Sequence, residues 1–428
     1  GAGWAAARAA LEDGLAQGVF PGAAAVVGRA EDPAPAFAFA LGNFSNDGVA
    51  PPYSGGSNPA TTLDTVFDMA SCTKVIATTS AVALLHQEGH LPDLDAPLTR
   101  VLGDAFAAGN KANVTARHCL THTAGFPPDP VPNFWDPNFG CAGAPLPEKT
   151  SFACSELAYT AVLKQSLVRA PGLKYVYSDL SMITLMYVVG TLVRDKALVP
   201  REALRSGCAQ GGSGAAALLQ CHYEAFVRTV VLGVAEGATP SFLPAPALWP
   251  RTAPTRPPSG ESVPGYPPNV LQGRVEDGNA EMLGGIAGHA GLFATAPAVA
   301  AFARSLLAGT GALSRATVAQ FAAVQNASLS SRALGWDTNA RVGPSSDGAC
   351  LGLSETTFLH TGYTGTLVCV DPARRAFAVL LTNRVYPNDR DHDSILRVRR
   401  AFSTAVARAL DHEEHVRAPD SASRARLW

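Results

Sequence analysis

The sequence predicts an α+β fold in which a sheet built from both chain ends carries an inserted, mainly helical lobe. Three observations predict it. Strand-length apolar runs lie near both ends, at Ala23–Val27 and Ala36–Leu41, and again at Thr357–Val370 and Arg375–Asn383. The middle reads as helices separated by long loops rich in proline and glycine. An amphipathic helix, Asp393–His412, closes the chain. At 428 residues and 47% hydrophobic content the chain is too long for one ordinary core. Two lobes are therefore expected: an α/β lobe from 1–80 and 290–420, and a helical lobe over 81–289 with insertions near 126–155 and 195–222.

Each element follows from local pattern. Residues 4–17 place apolar positions at helical spacing, and Gly18 ends that helix. Phe20-Pro21-Gly22 turns the chain into Ala23–Val27. Phe67–Ala70 leads into a helix from Ser71 to Glu88, closed by Gly89. Thr115–Thr121 reads as a short helix capped by Asn113 or Thr115. Phe126–Thr150, full of proline, asparagine and aromatics, reads as a long loop. Tyr175–Val193 is a turn and an apolar helix, and Cys221–Val234 is helical again. Residues 235–280 carry many prolines and read as loop. Ala296–Gly309 is a helix, and Asp371-Pro372 turns the last two strand runs into a hairpin.

Charged residues make up 16% of the chain and its net charge is −2. A nucleic-acid binder would carry a basic face or stripe, which this balance does not offer. No apolar run approaches the roughly 18–20 residues that span a bilayer. The chain opens Gly-Ala-Gly-Trp, without a methionine, so a targeting segment cannot be read from it. Of eight cysteines, Cys72, Cys119, Cys350 and Cys369 lie in or beside apolar segments. Cys141 and Cys154, and Cys208 and Cys221, lie in two insertion-like stretches, with twelve residues between the members of each pair. Two loop-closing disulfides, Cys141–Cys154 and Cys208–Cys221, are expected, and with them a secreted or lumenal compartment. The alternative is eight free thiols in an organellar or cytoplasmic one.

Three elements carry chemistry. Ser71-Cys72-Thr73-Lys74 heads a helix, and positions three apart share a helix face, so hydroxyl and amine can touch. A serine hydroxyl is a poor nucleophile until a base takes its proton. The helix N-terminus adds N–H groups that favour a developing oxyanion. Tyr177-Ser178-Asp179 opens an apolar helix, and a tyrosine beside an ammonium can act as a base. His360-Thr361-Gly362-Tyr363 lies in a strand run, where a glycine allows close approach of a ligand. The backbone N–H of Tyr363 can pair with that of Ser71 as an oxyanion hole. His289, between Gly288 and Gly291, is either a substrate contact or a structural histidine bonding loop backbone. His118 and His122 have the spacing of metal ligands, but no third ligand is evident, so no metal is expected.

In this order and spacing the elements resemble the β-lactamase and penicillin-binding serine hydrolase family. The likeness is strongest to its class C-like branch, through Phe67–Lys74, Thr115–Gly125, Pro171-Gly172 with Tyr177-Ser178-Asp179, and Gly285–Ala294. Tyr-Ser-Asp, Asp277–Ala280 before Gly284–His289, and Thr382-Asn383-Arg384 also resemble a bacterial subgroup that includes muropeptide amidases. The resemblance implies a β-lactamase/transpeptidase-like fold, an antiparallel sheet flanked by helices, and chemistry without cofactor or metal. It makes Ser71 the acylated nucleophile, Lys74 its partner and Tyr177 the general base. Asp179 would contact the substrate amide or orient Lys74, and His360, Thr361 and Gly362 would line the substrate.

Three departures stand out. His360 replaces a lysine, so a substrate carboxylate should be held more weakly. Asp179 replaces asparagine; paired with Lys74 it would hold the ammonium charged and favour Tyr177 as the base. Glu276 stands where the subgroup usually has histidine. The expected substrate is a small molecule or peptide-like amide or ester, and the inserted loops could narrow the cleft or meet a protein partner. The rival reading is a scaffold of the same fold with vestigial chemistry, its cleft plugged by 126–155. Transfer of the acyl group to an alcohol is a third.

Overall fold

The two chain ends meet in one sheet. The computed structural model describes residues 2–141, 152–205, 208, 214–256, 270–342, 348–387 and 392–417. Among them, β1 (Gly22–Arg29), β2 (Phe37–Gly42), β6 (Asp337–Thr338), β7 (Phe358–Thr361), β8 (Leu367–Asp371) and β9 (Ala376–Thr382) form an antiparallel sheet in the order β2-β1-β9-β8-β7-β6. The register sets Ala25 opposite Leu380 and Val26 opposite Val379.

Both faces of this sheet are covered, which is why its strands read as unbroken apolar runs. Successive side chains of a strand point to opposite faces. Ala24 and Val26 join one core with Val379 and Leu381, packed under the Ala296–Ala308 helix. Ala23, Ala25 and Val27 join a second with Ala378 and Leu380. That second core is closed by the Ala5–Ala16 and His392–Arg417 helices, through Leu11, Phe402 and Val406. The two helices are tied by an indole hydrogen bond from Trp4 Nε1 to Glu413 at 2.8 Å.

A smaller sheet positions the chemistry. β3 (Phe67–Asp68), β4 (Ser241–Phe242) and β5 (Leu292–Ala294) are ordered β3-β5-β4, with Asp68 opposite Phe293. It fastens the segment leading into Ser71 to the segment leaving His289. Between the sheets' segments lies the helical region. Its central Asp179–Asp195 helix is buried along most of its length. Gly190 there lets the Ala215–Phe226 helix come close, since a Cβ would stand 2.2 Å from the Leu219 carbonyl oxygen.

Several expectations need correcting. Thr357–Val370 is not one strand: β7 ends at Thr361 and β8 begins at Leu367. Gly362 and Gly365 fold the chain between them, through a Gly365 N–H bond to the Gly362 carbonyl at 3.0 Å. The helix expected from Cys221 starts at Ala215, and the closing helix runs to Arg417. Disulfides join Cys141 to Cys154 and Cys208 to Cys221. A third, Cys350–Cys369, escaped the sequence because both residues lie among apolar neighbours and read as core thiols. Cys72 and Cys119 are buried thiols.

Candidate active site

The site begins with a bent backbone. Ala70 has φ 45°, a left-handed conformation that costs a non-glycine residue about 1–2 kcal/mol. Asp68 holds it there: one carboxylate oxygen accepts the Ala70 N–H at 2.8 Å, the other the Glu276 N–H at 2.7 Å. The turn Ala70–Cys72 then runs into a π-helical segment, Lys74–Thr79, and the Ser80–Gln87 helix. The end of β7 is stapled onto this turn. Thr364 donates to the Asp68 carbonyl at 2.7 Å and Thr366 to the Met69 carbonyl at 3.0 Å. A Cβ on Gly362 would stand 2.6 Å from the Met69 carbonyl oxygen. The glycine thus admits the chain's own backbone, the Met69–Ser71 turn, where a ligand was expected. Buried Arg399 donates to the carbonyls of Gly362 and Thr366 and fixes the turn from behind.

Lys74 is fully buried beside Ser71. Its ammonium donates to Ser71 Oγ at 2.7 Å and to the His289 carbonyl at 3.2 Å, and pairs with Asp179 at 2.8 Å. The Tyr177 ring centre is 4.8 Å from Nζ. Burial alone would lower the lysine pKa, but the charges of Asp179 and Tyr177 outweigh it and hold the ammonium charged. Lys74 is therefore a donor to Ser71 Oγ. Tyr177 packs on His122, ring centres 4.5 Å apart, and faces His360 at 6.2 Å. His122 accepts the Ser178 N–H at 3.1 Å. Pro127 and Pro128 brace the same turn, taking the Ser178 hydroxyl and the Asp179 N–H.

His289 does not reach the cleft. It is fully buried, its Nε2 lies 2.8 Å from Asp277, and it meets Lys74 through its carbonyl. Burial disfavours its charged form, but Asp277 and Asp179 more than compensate and raise its pKa. The substrate-contact expectation is replaced by an internal one: the glycines around His289 allow close packing, as where Gly288 sits against the Met182 carbonyl. Asp179, Asp277 and His289 bring ligand-type atoms within 4.8 Å of one another. The Lys74 ammonium already supplies the positive charge of that cluster. His118 serves its own helix, closing a capping box with Thr115.

Above Ser71 opens a cavity of about 370 Å³. Ser71, Tyr177, His360, Thr361, Gly362 and Tyr363 all line it, so the three sequence elements converge on one space. None of the described residues of 126–155 or 195–222 is among its walls. Residues 142–151 of the first insertion, and 206–207 and 209–213 of the second, lie outside the described ones. Burial, with the nearby charges of Arg332 and Lys74, pushes the His360 pKa well below its usual value. Arg332, Asp68, Arg399 and the Thr364/Thr366 pair were missed by the sequence reading. Their roles depend on contacts across 30 or more residues, except that Asp68 directly precedes the serine segment.

A family model, Beta-lactamase, matches residues 7–198 and 212–402. A protein of Salmonella heidelberg named as a D-alanyl-D-alanine carboxypeptidase is 28% identical over 339 residues, 76% of this chain and 70% of its own. The fold is similar to that of EstCE1, a hydrolase with promiscuous acyltransferase activity (TM-score 0.62, 18% identity, 93% of this chain and 97% of that one). It is also similar to a class C beta lactamase from Rhodobacter sphaeroides (TM-score 0.58, 18% identity, 96% and 99%). The family model spans far more than half of the residues, and the chain accordingly belongs to the beta-lactamase family, as a serine hydrolase of the β-lactamase type on a β-lactamase/transpeptidase-like fold.

Proposed function

We propose that the protein cleaves an amide or ester through an acyl-enzyme on Ser71, with Tyr177 as general base and Lys74 assisting. The observation that carries this is the Lys74 ammonium donating to Ser71 Oγ at 2.7 Å with the Tyr177 ring beside it. A charged ammonium that donates cannot take the serine proton, which leaves the tyrosine oxygen to receive it. Lys74 and Arg332 flank that ring, their cationic groups 4.8 and 5.3 Å from its centre.

The steps balance. Ser71 Oγ attacks the carbonyl carbon as its proton passes to Tyr177. The tetrahedral oxyanion lies against the backbone N–H groups of Ser71 and Tyr363. Tyr177 returns the proton to the departing nitrogen or oxygen, and the bond to the leaving group breaks. Water then attacks the ester on Ser71, giving its proton to Tyr177, which hands it back to Ser71 Oγ as the acid departs. Asp179 holds Lys74 charged and His289 supplies its second acceptor. Thr361 and Gly362 contact the substrate from the cavity wall. The relative named as a carboxypeptidase points to peptides ending in D-alanine as first substrates. The three disulfides support an oxidising, extracytoplasmic setting, and no described helix is long and apolar enough to cross a membrane.

The test is a purified-protein screen of esters, D-amino-acid amides and muropeptides beside Ser71→Ala. The variant should lose turnover and covalent labelling by a fluorophosphonate. Undiminished turnover in Ser71→Ala would end the assignment. A scaffold with vestigial chemistry would show neither turnover nor labelling in the wild type; the open cavity above Ser71 speaks against it.

A further inference from the structure

His122 shares a metal-ligand spacing with His118, yet the fold gives the two rings different work. His118 caps its own helix. His122 follows that helix in a left-handed backbone conformation, φ 55°, which residues other than glycine keep only where their surroundings hold them. It is buried, and three of its contacts fall on the Tyr177 turn. Its carbonyl accepts the Val176 N–H at 2.9 Å. Its Nδ1 accepts the Ser178 N–H at 3.1 Å. Between these two bonds its ring lies against the Tyr177 ring, centres 4.5 Å apart. One residue thus fixes the chain before Tyr177, the chain after it and the ring itself. Tyr177 lines the cavity, so packing can fix it only from the sides and from behind.

The chemical state of the imidazole is fixed as well. A backbone N–H only donates, so Nδ1 is a bare acceptor. Burial, with the charges of Arg332, Lys74 and His360, pushes the His122 pKa well below its usual value, so the ring is neutral and its proton sits on Nε2. An imidazolium would carry a proton on Nδ1 and lose the Ser178 bond. Asparagine tolerates the left-handed backbone and offers an acceptor, but brings no ring; phenylalanine brings the ring without the acceptor. Histidine joins the two. We propose that His122 is a positioning residue for acyl transfer, clamping the Tyr177 turn on both sides so that the phenol oxygen stays aimed at Ser71. This rests on the reading of Tyr177 as general base and names the residue that aims it.

The experiment is a double-mutant cycle on the full chain, read by the rate of Ser71 labelling with a fluorophosphonate and by hydrolysis of p-nitrophenyl acetate. His122→Asn and His122→Phe should each slow labelling and lower kcat by roughly 10- to 100-fold, as expected for a misplaced catalytic group, with KM nearly unchanged. In the Tyr177→Phe background the same substitutions should slow the residual labelling by less than about threefold, because the group they aim is gone. Equal losses in both backgrounds would mark a residue that only supports the fold, and they overturn the proposal; so does the absence of any loss. A second readout needs no turnover. In ¹⁵N NMR of the wild type, His122 should carry its proton on Nε2 and stay neutral from about pH 5 to 8, the range in which an ordinary histidine titrates. A ring protonated at Nδ1, or one that titrates in that range, also overturns the proposal. Should His122→Phe fail to fold, His122→Asn carries the cycle alone. A wild type that is not labelled at Ser71 defeats the hydrolase reading instead, an outcome distinct from a wild type that labels normally beside variants that do so at the same rate.

Discussion

Ser71 stands between two walls that solve different problems. On one side, Lys74 contacts Ser71, the His289 carbonyl and Asp179, and Asp277 in turn holds the His289 ring. On the other side, His360 and Arg332 line the open cavity. A buried ionic network has one arrangement and holds geometry, whereas groups on a cavity wall are open to contact with what enters it. The difference teaches where to look for catalysis and where for selectivity. Substitutions on the first wall should act on kcat and on stability, and those on the second on KM.

The largest expected effect tests whether Tyr177 belongs to the first wall in function as in place. Tyr177→Phe keeps the ring against His122 and Lys74 and removes only the hydroxyl. A general base contributes about 10²–10⁴-fold, and kcat for an amide should fall by that order, with Ser71 labelling slowed in parallel. A change under threefold would move the base elsewhere. Asp179→Asn comes next, because it removes the charge that offsets the burial of Lys74. The lysine pKa should then fall, since Asp179 is the largest of the contributions that oppose burial. The alkaline limb of kcat/KM should shift to lower pH, with a loss of about tenfold at neutral pH. An unmoved alkaline limb would show that Lys74 does not depend on Asp179.

His289 sharpens the contrast further. Lys74 touches its carbonyl, which any residue supplies, while the ring serves Asp277. His289→Asn should change kcat only a few-fold yet lower unfolding free energy by about 1–3 kcal/mol, the cost of a lost buried hydrogen bond. Chemical denaturation and steady-state kinetics on the same sample separate the two. A loss confined to KM would return His289 to the cleft.

Much of this is legible in the amino-acid sequence. Strand runs at both ends, the Ser71–Lys74 spacing and the Tyr177 turn are local patterns, and local patterns survive folding. What was not legible depends on contact between distant segments. Cys350 and Cys369 look like core thiols until β8 brings them together. Thr357–Val370 has the composition of one strand, and only the docking of Gly362 against Met69 shows why it must bend. His289 sits among glycines as a loop contact would, but those glycines serve close packing inside the protein. Arg332 lies in no motif, and only folding brings its guanidinium beside the Tyr175 and Tyr177 rings.

Asp68 gives the smallest effect and joins both walls, because its carboxylate holds the Ala70 turn and the Glu276 loop at once. Burial raises its pKa to about 6, against the pull of those two N–H groups. Between pH ~4 and ~6 the folded protein therefore keeps a proton that the unfolded chain has released. By linkage, stability from this group falls as pH rises through that window, and the deficit is full above it. The site accepts that deficit because an ionised carboxylate with two N–H partners fixes the strained Ala70 ahead of Ser71. Asp68→Asn has no charge to lose, so its stability should be flatter across the same window, while its kcat drops because an amide offers one acceptor oxygen for two donors. Urea unfolding of both proteins from pH 4 to 7 measures the slopes. Parallel slopes would mean that Asp68 is ionised at all these pH values, and that its hydrogen bonds outweigh its burial.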